Sequence, residues 1–311
     1  MLAEPREIVP AEKGELAVYD HGLKQIVIFS SKGEKIHAFG NVGGGPGEWS
    51  VMSGAADFNY LNGLFFAANR ERFLFQLHDK HGNHLRSIPF PSYMNYSDKT
   101  WFSDHQLLVT TKGEDGALAV VLDLDANGDV LKRIGLPEAE PEERLSLEQE
   151  RIAYSNEEIP ETEKNAALAA KGEGGYYLFM NTLGELRHYS EEGELVLVQE
   201  LPEEVLKPVF EFVATHNRNG PPHAVFPLRY AHRMLMKKGH IYLFMPRPHH
   251  EAPNLKSRVL VFDTDGKLIK HLVLEDPDNE AFLYDFTVAE DGDLYFIDIM
   301  NSQVLKASIP L

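Results

Sequence analysis

Glu15-Leu16-Ala17-Val18-Tyr19, Gln25-Ile26-Val27-Ile28-Phe29, the turn Ser31-Lys32-Gly33-Glu34 and Lys35-Ile36-His37-Ala38-Phe39 form the stretch that decides the architecture. Runs rich in Val, Ile, Phe and Tyr, bounded by glycine turns, are the sequence form of antiparallel hairpins. Gly14 and Gly33 lie nineteen positions apart around these runs, and the pairs Gly63/Gly82 and Gly174/Gly193 repeat the interval.

The same order returns down the chain. Leu64-Phe65-Phe66 is followed by Phe73-Leu74-Phe75 and His84-Leu85, and Leu107-Leu108-Val109 by Ala119-Val120-Val121-Leu122 and Val130-Leu131. Tyr176-Tyr177-Leu178-Phe179 leads to Leu186-Arg187-His188-Tyr189 and Leu195-Val196-Leu197, and Ile241-Tyr242-Leu243-Phe244 to Val259-Leu260-Val261-Phe262 and Leu268-Ile269. A last unit runs through Leu294-Tyr295-Phe296-Ile297 and Gln303-Val304-Leu305-Lys306. A further strand precedes the units, as in Glu7-Ile8-Val9, Gly54-Ala55-Ala56-Asp57 and Tyr284-Asp285-Phe286-Thr287-Val288. Four-stranded sheets repeated at intervals of a few tens of residues read as radial repetition, each sheet covering the apolar face of the next. The expected fold is therefore an all-β, six-bladed β-propeller over residues 1–311 as one domain. Counting nineteen residues on from Gly292 reaches the last residue, so the last blade is expected to be three-stranded or completed by residues preceding Met1.

Composition removes several functions. With 311 residues and 43% hydrophobic content the chain can bury a large core. No stretch approaches the ~20 apolar residues of a membrane span. A net charge of −18 opposes nucleic acid and anionic membranes, because both are bound through Lys and Arg. Cysteine is absent, which excludes disulfides, thiolate nucleophiles and Cys-ligated metals. No Gly-x-Ser-x-Gly elbow occurs, and paired catalytic carboxylates cannot be singled out among 48 acidic residues.

In an up-and-down blade, the turns between second and third strands and the blade connections share one face. The long insertions fall there: Gly40 to Met52, Pro89 to Lys99, about 137–164, about 201–228, and Pro246 to Lys256. Long loops on a rigid scaffold concentrate binding and catalysis. The Glu-rich insertion after Leu136 reads as a solvated acidic surface or a short amphipathic helix. The segment Phe210 to Met236 reads as a binding lip, a long loop carrying Phe212, Phe226, His216, His223, His232, Arg218, Arg229 and Arg233 around Asn219-Gly220-Pro221-Pro222. Residues just after the second strands are expected to ring the channel mouth: Asp20, His21, Asn69, Arg70, Asn181, Arg247, Asp298 and Asn301. Such groups either bind a polar ligand or pair as structural caps. His249 and His250 stand beside the last insertion, where histidines from different blades could converge on a metal. His78, His81 and His84 are expected to be solvated near a turn.

Asp123-Leu124-Asp125-Ala126-Asn127-Gly128-Asp129 has the alternating oxygens of a Ca²⁺ loop, but Ile134 stands where its bidentate Glu belongs, so Asp123, Asp125, Asn127 and Asp129 read better as a hairpin turn. No cofactor is expected, with Ca²⁺ the one ion these residues would suit. Gly43-Gly44-Gly45-Pro46-Gly47-Glu48-Trp49 lacks the Gly-Lys-Ser/Thr ending of a phosphate loop; it reads as a stiff turn, with Glu48 accepting backbone hydrogen bonds and Trp49 packing on the next sheet.

That motif and the repeated third-strand, turn, fourth-strand pattern resemble the bacterial six-bladed propellers related to NHL repeats, many from Bacteroidetes. The resemblance implies a propeller of an often exported or lipid-anchored group whose relatives serve as binding scaffolds, lyases or lactonases. The chain shows no basic-then-apolar leader and no lipidation cysteine, which leaves a cytoplasmic protein as the alternative. The expected function is a monomeric binding module that offers its long-loop face to a protein or polar small-molecule partner; a metal-dependent lyase or lactonase is the second reading. A binding lip further implies that Phe212→Ala or Arg229→Ala weakens a partner with little change in melting temperature.

Overall fold

Each apolar run pairs with its neighbour in sequence, so the fold is assembled from local antiparallel ladders. The computed structural model describes residues 2–50, 56–89, 101–103, 105–140, 145–221, 223–250, 252, 254–275 and 280–308. The first sheet contains β1 (Pro5–Pro10), β2 (Leu16–Asp20), β3 (Gln25–Phe29) and β4 (Lys35–Phe39). The second contains β5 (Ala56–Leu61), β6 (Leu64–Asn69), β7 (Leu74–Asp79) and β8 (His84–Pro89). The third contains β9 (Trp101–Phe102), β10 (Gln106–Thr110), β11 (Ala119–Asp123) and β12 (Asp129–Ile134). The fourth is β13 (Ala167–Gly172), β14 (Gly175–Met180), β15 (Glu185–Tyr189) and β16 (Leu195–Glu200). The fifth is β17 (Arg233–Lys237), β18 (His240–Met245), β19 (Arg258–Phe262) and β20 (Leu268–Val273). The sixth has three strands, β21 (Leu283–Val288), β22 (Leu294–Asp298) and β23 (Gln303–Ala307). The fold is a six-bladed β-propeller.

By their contacts the residues group into two compact units. One comprises Met1–Leu107, Leu122–Val130 and Asp276–Leu311; the other comprises Leu108–Val121 and Leu131–Glu275. In the first unit, Trp49 is wholly buried among Tyr19, Ile28, Phe58 and Phe65, and Ile8, Val18 and Ile297 form a second cluster. In the other unit, Tyr177, Phe179, Leu243 and Phe262 of two sheets share one core with Val205 and Val213 of a helix.

Glycine spacing has a packing cause as well as a turn cause. Gly82, with φ +83°, closes the β7–β8 hairpin, and a Cβ there would lie 2.6 Å from Cδ2 of Phe39 on β4. The equivalent Gly128, Gly193 and Gly266 meet Ile88 (3.3 Å), Ile134 (3.4 Å) and Leu197 of the preceding sheet's outer strand. At Gly82 and Gly266 the hairpin tip seats against the strand before it because no side chain intervenes, and at Gly128 and Gly193 the fit is merely close.

Two expectations change, and the acidic insertion takes the helical one of its two alternatives. The 201–228 insertion is not a loop throughout: its first part is the helix α3 (Glu203–Asn219). Glu203 and Glu204 in the first turn and His216 and Arg218 in the last suit the helix dipole. Val205, Val209, Phe212 and Val213 form an apolar stripe on the core, so the helix tolerates Pro208 in its interior. In the acidic insertion, Ser146 and Gln149 form a reciprocal capping box that starts α1 (Leu147–Ser155), and α2 (Glu161–Lys164) follows. His78 is not solvated but 1% exposed, packed on Trp49 with ring centroids 5.1 Å apart. Gly54, Ala55, Glu142, Glu143, Arg144 and most of the Pro89 to Lys99 insertion lie outside the described residues.

Candidate functional site

Each residue expected at the channel mouth has a definite local environment. Asp20 ends β2 fully buried, and its carboxylate accepts the amides of Ala3 (2.6 Å), Glu4 (3.0 Å) and Leu23 (3.0 Å). Asp298, at the same place on β22, accepts from the amides of Phe282, Met300 and Asn301 and from the side-chain amides of Asn301 (2.7 Å) and Gln303 (3.0 Å). Asn181 follows β14 directly and both donates to and accepts from the backbone of Ala231 at 2.8 Å. Asn69 ends β6 and donates to the carbonyl of Glu48. These are the bonds of capping groups that tie each second strand to the chain around it. Arg247 is buried, with its amide donating to Ser257 Oγ at 2.9 Å. The His21 ring meets Tyr19 edge-on, and desolvation, followed by the Lys24 ammonium 2.8 Å from Nε2, holds its pKa below the ordinary value. The side chain of Arg70 lies outside the described residues.

Asp123 to Asp129 form the hairpin turn expected between β11 and β12. Asp123 Oδ1 accepts the amides of Asp125 and Ala126, while Asp125 pairs with His105 at 2.7 Å and Arg86 at 3.4 Å. Among the described residues no group of three His, Asp or Glu side chains is arranged to hold a metal ion. Glu48 caps its own glycine turn, accepting the Gly45 amide at 2.5 Å.

The residues that converge lie on α3 and two loops of one unit. The half-buried rings of Phe212, His216, Phe226 and His249 form a mutual cluster. Phe212 is 5.7 Å from both His216 and Phe226, His216 is 4.8 Å from Phe226 and 5.5 Å from His249, and Phe226 is 5.8 Å from His249. His250, exposed, lies with its ring tilted 4.2 Å from His249. Phe212 and His216 sit one turn apart, which places both on one face of the helix. Phe226 is fixed by Asn217, whose amide oxygen accepts the Phe226 N–H (2.9 Å) while its NH₂ donates to the carbonyls of Phe226 (2.7 Å) and Val213 (2.9 Å). Asn217 is 2% exposed, and it is the organising residue that sequence reading passed over. Its signal was slight: an Asn in the last turn of an apolar stripe, nine residues before a lone Phe.

The basic residues assigned to the lip are engaged in holding it. Arg218 donates to the Ser155 carbonyl at 2.8 Å and faces Glu157, joining α3 to α1. Arg229 donates to the Leu228 carbonyl and pairs with Glu163 at 2.5 Å, with Lys112 3.8 Å from the same carboxylate. Beneath them lie Tyr154, whose phenol burial pushes far upward, and Tyr230, pushed up to about 12 by burial. His223 is exposed on the connecting loop. The result is a rigid floor carrying a half-exposed aromatic and imidazole surface.

No protein-family model and no curated protein matches the chain. Similar solved structures are propellers and related folds. A putative exported protein from Bacteroides fragilis is 11% identical with a TM-score of 0.57, over 95% of this chain and 79% of that one. A member of the DUF4221 family from Bacteroides vulgatus is 13% identical with a TM-score of 0.56, over 99% and 94%. Virginiamycin B lyase from Staphylococcus aureus is 10% identical with a TM-score of 0.52, over 99% and 85%. At such identities the likeness is one of fold.

Proposed function

We infer that this chain is a binding propeller whose α3 surface receives a protein or polar small molecule bearing a planar apolar group, without catalysis of its own. The observation that supports this most is the cluster Phe212, His216, Phe226 and His249, four rings left half-exposed on a floor fixed by Asn217 and by the Arg229–Glu163 pair. Rings held rigidly give large contact area at little entropic cost, and imidazoles add hydrogen-bonding groups. The resemblance of Gly43 to Trp49 to the exported bacterial propellers agrees with capture of a ligand outside the cytoplasm.

Anilinonaphthalene sulfonate, a planar anionic probe, tests this reading by fluorescence titration. His216→Ala and His249→Ala should each weaken saturable binding about tenfold, or 1.4 kcal/mol, with the melting temperature nearly unchanged. Equal affinity in wild type and both variants refutes the site. Phe212→Ala is a poorer probe than the sequence suggested, because Phe212 also packs on the core.

A second reading, a metal-dependent lyase or lactonase, rests on what the resemblance implies rather than on any metal-holding group among the described residues. Stoichiometric Zn²⁺ or Ca²⁺ in the purified protein, with a melting temperature lowered by EDTA, would favour it.

A further inference from the structure

Three Asn–Gly bonds occur in the chain: Asn62–Gly63, Asn127–Gly128 and Asn219–Gly220. Such a bond carries its own reactant pair, because an unshielded glycine nitrogen can reach the preceding side-chain amide carbon. How firmly the fold holds the two residues decides whether it reacts, and the three bonds differ.

The first two are hairpin turns. Asn62 (φ +48°) and Gly63 (φ +83°) join β5 to β6, with Leu61 paired to Leu64 across the turn. Asn127 (φ +59°) and Gly128 (φ +92°) join β11 to β12, and the Gly128 amide, which would be the nucleophile, donates to the Asp123 carbonyl at 2.7 Å. Both bonds are fixed in left-handed geometry by the strands on either side. Asn219–Gly220 lies in no ladder. Asn219 is the exposed last residue of α3, its side chain makes no hydrogen bond among the described residues, and Gly220 has already left the helix at φ −77° and ψ 171°. Pro221 follows, and proline keeps the residue before it out of the helical region. Glycine is required at this exit, since a Cβ there would stand 2.8 Å from the His216 carbonyl oxygen. Helix ends also open locally more readily than paired strands.

We propose that Asn219–Gly220 is a self-modification site, at which the chain deamidates and so releases the clamp that Asn217 places on Phe226. Base removes the Gly220 amide proton, the nitrogen attacks Asn219 Cγ, and the Cγ–Nδ2 bond breaks to leave ammonia and a cyclic imide. Water then opens the ring at Cγ to give aspartate, or at the main-chain carbonyl to give isoaspartate, whose main chain is longer by one carbon. Each conversion consumes one water and releases one ammonia. Both products place a new negative charge at the negative pole of α3, where anions are disfavoured. The return from Asn217 to Phe226, closed by the Phe226 N–H donating to Asn217 at 2.9 Å, runs through this bond. On the binding role inferred above, ageing of Asn219 becomes a loss of ligand; the modification itself does not depend on that role.

The full chain and the same chain unfolded in guanidinium, incubated side by side at mildly alkaline pH, provide the test. Deamidation is followed by peptide mass mapping, with isoaspartate labelled by protein isoaspartyl methyltransferase. All three bonds should convert at similar rates in the unfolded chain. Folding should slow Asn62 and Asn127 about tenfold or more, and Asn219 about threefold or less. Hydrogen exchange at the Phe226 amide should speed up in aged wild type and stay slow in aged Asn219→Gln, whose longer side chain closes the imide ring far more slowly. The proposal is overturned if folding protects Asn219 as strongly as the two hairpin asparagines, or if protein deamidated at Asn219 keeps the slow exchange at Phe226.

Discussion

Lowering the pH should unfasten the first two blades through one side chain, His78. Its imidazole is 1% exposed and lies among Trp49, Phe39 and His84 at ring distances of 5.1, 5.9 and 5.5 Å. Desolvation, followed by the repulsion of His84, lowers its pKa from 6.5 to about 4. The unfolded chain therefore takes up this proton between pH 6.5 and 4 while the folded chain does not. The contribution is complete above 6.5 and is lost as pH falls toward 4. At 1.36 kcal/mol for each unit of separation, the loss between pH 8 and pH 5 comes to about 2 kcal/mol. His78→Leu keeps a similar volume and removes the titration, so urea unfolding of both proteins at the two pH values isolates the effect; His21 and His271, also lowered by burial, are common to both and cancel. The variant should lose about 2 kcal/mol less than wild type on acidification. Equal losses, within about 0.5 kcal/mol, would refute the assignment of a buried neutral imidazole.

Two further substitutions test the turn geometry. Phe73 is 55% exposed at φ +53°, where Gly184 stands before β15, so Phe73→Gly should relieve about 1 kcal/mol of left-handed strain and raise stability in urea, and a loss of stability would show that the ring contributes packing. Gly82→Ala should cost about 2 kcal/mol or more because its methyl overlaps Phe39, whereas Gly33→Ala should cost only about 1 kcal/mol of backbone strain; equal costs in denaturant would remove the packing explanation for the glycine spacing.

Much of the fold was legible because its rules are local. A strand of Val, Ile and Phe, a glycine turn and a second strand are readable within about twenty residues, and such hairpins dictate their own pairing. The glycines carried more than turn chemistry, since Gly82 and Gly266 also leave room for Phe39 and Leu197 of a neighbouring sheet. What escaped was whatever depended on a distant partner. Aromatic and basic residues from Phe210 onward read as a loop because Pro208 broke the helical pattern, although Pro202, Glu203 and Glu204 marked a helix start and the Val205, Val209, Phe212 spacing continued it. His78 read as solvated because Trp49, thirty residues earlier in the chain, supplies its cover.

The candidate site shows why polar residues at strand ends resist assignment. Asp20 and Asp298 stand at one repeat position, carry charge and border long connections, all features of a ligand site. What decides their local role is where backbone amides arrive, and those of Ala3, Glu4 and Phe282 come from the segment leading into the preceding strand, sixteen or seventeen residues away. A carboxylate with three or more amides on it is already supplied with hydrogen bonds, and a ligand would have to displace them. Phe212, His216, Phe226 and His249 differ: they pack on one another as rings and stay only partly buried. Where strand-end carboxylates such as Asp20 and Asp298 are occupied by their own chain, the proposed binding role falls instead to the rings beside α3.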